Sequence, residues 1–255
     1  MYVIAGASGR TGKKVAETLL AQGQRVRVLV RGDADAWRAR GAEAVVVALE
    51  DGQALREAVA GARGLYALIP DQAPDRAAIV DAMVVAARAV PHVVLLSALP
   101  AARASGNGPC AVLHEAERRL REVTALCALR PCTFQETVSA RDGTYLHFFG
   151  AAPVPLVATR DVAAAAVHCL REPRTEIVDL IGPSYTGAEL AEALGARLIE
   201  VPAHARLNVL MQAMPAPMAH AVAELYACLG SVSPAGDRLI AGSTSFVQTL
   251  CEGRT

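Results

Sequence analysis

Lysine is almost absent: Lys13 and Lys14 are the only two in 255 residues, so the remaining basic charge is arginine and no lysine side chain is available downstream. Net charge is missing as well, because 25 basic and 25 acidic residues cancel. That balance removes the electrostatic case for nucleic acid or an anionic membrane as the main partner. No apolar stretch reaches the roughly 18 uncharged residues that a membrane span needs. The first residues lack a basic region and a cleavage site, which argues against a secretory signal. The six cysteines (Cys110, Cys127, Cys132, Cys169, Cys228, Cys251) contain no C-x-x-C pair and read as buried, reduced thiols. His92, His114, His147, His168, His204 and His220 show neither an H-x-x-x-H nor a His/Cys spacing, so no metal site is expected. These absences lead to the expectation of a soluble, cytoplasmic chain, with monomer or homodimer left open.

What is present is an alternation. Short β-branched runs at Tyr2–Ala5, Arg25–Val30, Glu43–Leu49, Leu65–Ile69, His92–Ser97 and Leu126–Leu129 are separated by amphipathic segments at Thr11–Gln22, Ala34–Arg40, Gln53–Ala60, Arg76–Val90 and Ala111–Val123. Strands that are continuously apolar are buried on both faces, and helices between them imply a doubly wound parallel sheet of Rossmann type. The sixth strand is expected to stop at Arg130-Pro131. Beyond it the rhythm loosens, with a helix at Asp161–Leu170, a strand at Glu176–Ile181, and helices from Gly187 onward around a short strand at Arg197–Val201. The expected organisation is a nucleotide-binding core over 1–155. Residues 156–255 supply further elements and a small, mostly helical substrate-side subdomain, within one continuous unit.

Gly6-Ala7-Ser8-Gly9-Arg10-Thr11-Gly12 lies between the first strand and the first helix. There a pyrophosphate can rest on unpaired helix N–H groups and the positive end of the dipole. Gly6 permits the tight turn, Gly9 lets the backbone approach phosphate, and Gly12 lets helix and strand pack closely. An NAD site needs a carboxylate at the end of strand two, whereas a 2′-phosphate needs cations there. Arg31 holds that position, with Arg10 and Lys13 near by, and its planar fork suits phosphate. The expected cofactor is therefore NADP(H) rather than NAD(H), although Arg31 also reads as a solvated surface charge and Asp33 as a helix N-cap. Leu68, Ile69 and Pro70 at the end of strand four, and Ser97 at the end of strand five, complete the expected cofactor contacts.

The G-x-x-G-x-x-G spacing, with Val28-Leu29-Val30-Arg31, Val93-Val94-Leu95-Leu96-Ser97, Glu117-Arg118-Arg119-Leu120, Leu129-Arg130-Pro131, Thr159-Arg160-Asp161-Val162-Ala163 and Ile181-Gly182-Pro183, resembles the NmrA-like branch of atypical short-chain dehydrogenase/reductases. That branch includes NAD(P)H:quinone oxidoreductase-like proteins, and the likeness spans roughly residues 2 to 200. It implies a Rossmann-type reductase. Three departures stand out. The aspartate that relatives carry beside the adenine falls here on Ala48 or Leu49, with Glu50 and Asp51 later. Thr137 replaces the asparagine of the F-x-E-N phrase. The Tyr-x-x-x-Lys pair of typical short-chain dehydrogenases is missing, since no lysine follows Lys14.

Two residues remain as catalytic candidates. Ser97 would face a nicotinamide, or else is a strand-end hydroxyl satisfied by backbone. His114 could donate a proton near neutral pH, or else caps or decorates its helix. It lies three residues before Glu117 rather than the four seen in relatives, a turn of about 100° on a helix. Phe134, Phe148, Phe149, Pro153 and Pro155, with Leu207, Leu210, Met211, Met214, Met218 and Tyr226, offer apolar surface for a flat ligand, or else pack as core. The expected function is an NADP(H)-dependent oxidoreductase acting on a bulky apolar acceptor such as a quinone or an aromatic biosynthetic intermediate. A sensor or regulator without turnover, and a non-redox isomerase, cyclase or dehydratase, are the alternatives.

Overall fold

The computed structural model describes residues 1–229 and 232–253, so Gly230, Ser231, Arg254 and Thr255 of the second segment lie outside the described residues. Strand and helix alternate at first as the apolar periodicity dictates: β1 (Tyr2–Ala5), α1 (Arg10–Ala21), β2 (Val26–Val30), α2 (Ala34–Ala39), β3 (Glu43–Val46), α3 (Gly52–Val59), β4 (Gly64–Leu68), α4 (Arg76–Ala87), β5 (His92–Leu96), α5 (Ala111–Arg121) and β6 (Ala125–Pro131). Short strands β7 (Thr133–Phe134), β8 (Thr144–His147) and β9 (Val154–Val157) follow, then α6 (Thr159–Arg171), β10 (Glu176–Ile181), β11 (Ser184–Tyr185), α7 (Gly187–Leu194) and β12 (Arg197–Glu200). The chain ends with α8 (Arg206–Met211), α9 (Ala216–Leu229), β13 (Arg238–Ala241) and α10 (Phe246–Glu252).

One sheet of eight strands, ordered β3-β2-β1-β4-β5-β6-β10-β13, organises the molecule. Its neighbours pair in parallel throughout. The period-2 alternation of each strand feeds two separate cores. Ile4, Val28, Tyr66, Val94, Leu129 and Val178 meet α1 and α6 on one face. Val3, Leu65, Val93, Leu95 and Leu126 meet α3, α4 and α5 on the other. Each fully buried aliphatic side chain contributes roughly 1.5–3 kcal/mol against the exposed state, so both layers are needed to hold the sheet. The strand order reverses between β1 and β4, which opens a crevice at their carboxyl ends. Among the described residues no helix is long and apolar enough to cross a membrane.

Two expectations about strands are corrected. The sixth strand does not stop at Arg130-Pro131: both residues continue β6 and pair with Asp179 and Leu180 of β10. Proline pushes the residue before it into the β region, so Arg130-Pro131 extends the strand instead of ending it. The second correction is β13, which lies in a stretch expected to be helical. It is a four-residue edge strand with Leu239 60% exposed, too short and too open to show an apolar run.

Candidate functional site

The turn from β1 into α1 is built on glycine. Gly6 has φ +67°, and a side chain there would also strike Leu68, 2.4 Å away. The Gly9 N–H closes the turn by donating to the Gly6 carbonyl at 2.8 Å. A Cβ on Gly12 would lie 2.3 Å from that same carbonyl oxygen, so helix and loop touch backbone to backbone. Gly9 is the N-cap of α1 and brings no side-chain acceptor to its first N–H groups. An anion is the natural complement of such a helix start.

A cleft of about 340 Å³ opens over this turn, at the reversal of strand order. Gly6, Ser8 and Gly9 form its floor, Arg31 and Glu50 its charged rim, and Leu49, Leu68 and Pro70 its apolar walls. Arg31 is exposed, and among the described residues it has no hydrogen bond or ion pair. Other expected residues stand behind the cleft. Ala7 is fully buried, Ile69 is 5% exposed, and Gly12 is buried. Thr11 is buried too, its hydroxyl accepting from Tyr66 at 3.0 Å. Arg10 and Lys13 are exposed beside the cleft without lining it.

Beyond β3, Leu49 and Glu50 line the cleft, while Asp51 turns away to cap α3 by accepting from the Ala54 N–H at 3.0 Å. Asp33 stands at the N-cap of α2 with φ +54°, and its side chain makes no capping bond. Residues 72–74 and Ile79, also in the lining, went unnoticed in the sequence because they follow β4 with no motif of their own.

Of the catalytic candidates, Ser97 sits at the carboxyl end of β5 and His114 on α5, and neither lines the cleft. Ser97 is 4% exposed, and its hydroxyl donates to Glu117 at 2.5 Å, so it is held by a carboxylate rather than by backbone. Glu117 is itself gripped by Arg130, Nε to Oε1 at 2.9 Å and a terminal nitrogen to Oε2 at 2.5 Å, with both side chains about 5% exposed. The Ser97 proton is therefore committed to Glu117. The half-buried His114 points Nδ1 at the Ala101 carbonyl, 2.9 Å away. Leu113, one turn before Glu117, is buried and apolar.

Above this edge, α9 rests directly on the segment after β5. A Cβ on Gly108 would lie 2.2 Å from the Ala221 carbonyl, so only glycine lets the helix come this close. Tyr226 of α9 stacks on Phe148 at 5.0 Å and meets Phe149 edge-on at 5.1 Å, while Arg206 donates to the Phe148 carbonyl. Tyr145 binds His147 at 3.1 Å inside the same region, and burial pushes its phenol up to about 12, which keeps it protonated. The methionine stripe is divided: Met211 and Met218 are 47% and 44% exposed, while Leu210 beside them is buried. Glu136 of the F-x-E-T phrase caps α6 by accepting from the Thr159 N–H at 2.9 Å.

The NmrA-like family model matches residues 2–241 of the chain. No curated protein sequence matches it. Among solved structures, the NADPH-dependent quinone oxidoreductase of Escherichia coli, complexed with NADPH, superposes with a TM-score of 0.84 at 21% identity over 100% of both chains. The triphenylmethane reductase of Citrobacter sp., complexed with NADP(H), gives 0.79 at 22% identity over 98% of this chain and 99% of that one. The leucoanthocyanidin reductase of Vitis vinifera, in its NADPH complex, gives 0.73 at 16% identity over 98% and 93%.

Proposed function

The chain belongs to the NmrA-like family, and from that premise and the shape of the cleft we propose that it is an NADP(H)-dependent oxidoreductase. The observation that carries the reading is the pairing of a bare, glycine-built helix start with the Arg31 guanidinium, which has no ion-pair partner among the described residues, across one cleft. Gly6, Ser8 and Gly9 would hold the pyrophosphate, Arg31 the 2′-phosphate, Leu49 and Glu50 the adenine side, and Leu68 and Pro70 the ribose and nicotinamide side. The cofactor supplies the hydride, and the chain supplies binding, orientation and exclusion of water. Kinship with solved complexes of NADPH and NADP(H) in structurally similar proteins agrees with this choice.

Titration of NADPH and NADH, followed by nicotinamide fluorescence and then by absorbance on adding a panel of quinones, tests the proposal. NADPH binds more tightly than NADH and is oxidised when an acceptor is added; no binding of either nucleotide overturns the reading. Replacing Arg31 by alanine weakens NADPH about tenfold, the loss of one charge-assisted contact, and leaves NADH unchanged. Equal effects on both nucleotides would make Arg31 an ordinary surface charge.

The acceptor is bulky, flat and apolar, a quinone or an aromatic biosynthetic intermediate. The Phe148–Tyr226 stack and the open Met211 and Met218 offer it a face. Met211→Lys with Met214→Lys lowers affinity for such compounds about tenfold while NADPH still binds, and retained affinity counts against this surface. One observation favours a second reading, a nucleotide-binding regulator without turnover. The Ser97 hydroxyl is committed to Glu117, and Leu113 offers no proton, so an acceptor must need little proton assistance. Binding of NADPH without oxidation by any acceptor selects that reading.

A further inference from the structure

Five of the six thiols are buried, but two of them differ from the rest. Cys127 of β6 and Cys169 in the last turn of α6 face each other beside Glu176, the first residue of β10. Their sulfurs and a carboxylate oxygen of Glu176 all lie within 4.8 Å of one another. Arg238 of the edge strand β13 closes the cluster. It grips Glu176 with two bonds, at 2.7 and 3.1 Å, and sets the same terminal nitrogen 3.6 Å from the Cys169 sulfur.

This arrangement gives the two thiols different roles. The Cys127 S–H directed at Cys169, together with the guanidinium, stabilises a Cys169 thiolate and holds its pKa below the ordinary value despite burial. Cys127, donating to Cys169 and buried, is held well above it. A thiolate beside a cation is the nucleophilic form of cysteine. By contrast, burial, with the Asp71 carboxylate adding to it, pushes Cys110 up to about 12, and burial pushes Cys132 up to about 11. Arg238 already neutralises Glu176 and places positive charge against the sulfur, which disfavours a divalent cation in the same space. Its side chain, 33% exposed on the outermost strand, is the most exposed member of the cluster, since Glu176 is 12% exposed and both thiols are buried.

We propose that Cys127 and Cys169 are a redox-active dithiol, oxidised reversibly to a disulfide by hydrogen peroxide. The Cys169 thiolate attacks the near peroxide oxygen, the O–O bond breaks, and hydroxide leaves, giving a sulfenic acid. Cys127 then attacks the Cys169 sulfur, its proton joins the departing hydroxide as water, and the S–S bond forms. Two thiols and one hydrogen peroxide yield one disulfide and two waters. The bond ties the end of α6 to β6, and α6 packs along α1, the helix that follows the glycine loop.

The test uses the native, reduced protein. It is exposed to hydrogen peroxide, quenched, denatured, alkylated and mapped by mass spectrometry. A Cys127–Cys169 cross-linked peptide, two hydrogens lighter than the reduced pair, forms about ten times faster than Cys110 or Cys132 lose their thiols, and dithiothreitol reverses it. Global unfolding would expose all the buried thiols alike, so equal rates overturn the proposal. So does oxidation confined to the exposed Cys251. In Cys127→Ser the sulfenic acid at Cys169 accumulates and is trapped by dimedone; absence of the adduct, with Cys251 oxidised in the same sample, also overturns it. Arg238→Gln slows cross-linking, and Arg238→Lys restores it.

Discussion

Replacing Glu117 by alanine is expected to destabilise the protein by about 3–5 kcal/mol, the usual cost of leaving one partner of a buried ion pair unpaired. Arg130 would be left with its guanidinium inside the sheet, 5% exposed, and the Ser97 hydroxyl would lose its acceptor. The geometry makes the loss severe, because two parallel N–H bonds of 2.9 and 2.5 Å end on the same carboxylate. For a domain of this size that corresponds to roughly 6–20 °C in unfolding temperature. Thermal unfolding followed by circular dichroism reads it. The double change Glu117→Met with Arg130→Met recovers most of the loss, since two apolar residues of similar length need no partner. If Glu117→Ala unfolds within about 1 kcal/mol of the parent, the pair is solvated and the serine is free for other chemistry.

The ion pair also shows where sequence reading reaches its limit. Apolar periodicity reports which face of a strand or helix is buried, so the first six strands, and α1 beneath its glycine loop, were legible from Val15, Leu19 and the continuous runs Val93–Leu95 and Leu126–Leu129. A charged residue inside the core reverses that signal. Arg130 read as the end of a strand although its partner lies on a helix thirteen residues earlier, a contact that no local pattern encodes. Ser97 was visible as a strand-end hydroxyl, but its commitment to Glu117 was not, because the bond is made by tertiary packing. Edge strand β13 escaped for a different reason: with one neighbour and solvent beyond, its residues need not be apolar. Leu210 and Met211 read alike as pocket or core, yet Leu210 is buried and Met211 is exposed, a distinction set by which elements reach them. The thiol pair belongs with these long-range contacts, since Cys127 and Cys169 meet only because α6 returns over β6.

The glycine loop was legible because its demands are local, and the same fact yields the sharpest test of the cleft. Gly9 has φ −89° and ψ 171°, ordinary extended backbone that valine adopts readily, and its residue is exposed. An added Cβ would meet only the Gly6 carbonyl oxygen, at 3.2 Å, which a shift of a few tenths of an ångström relieves. Gly9→Val therefore folds with nearly parental stability. Its side chain nevertheless stands on the floor of the cleft where the pyrophosphate must approach the backbone, and NADPH affinity should fall by at least about 100-fold, near 2.7 kcal/mol. Gly12→Val behaves differently. Its Cβ would lie 2.3 Å from a backbone oxygen and 2.7 Å from a backbone carbon, so α1 must move off the loop, at a cost of about 1–3 kcal/mol in folding as well as loss of binding. Calorimetric titration with NADPH beside thermal unfolding separates the two variants. Parental affinity in a well-folded Gly9→Val protein would mean that the phosphate does not sit on this helix start, and the cleft would then need a different ligand.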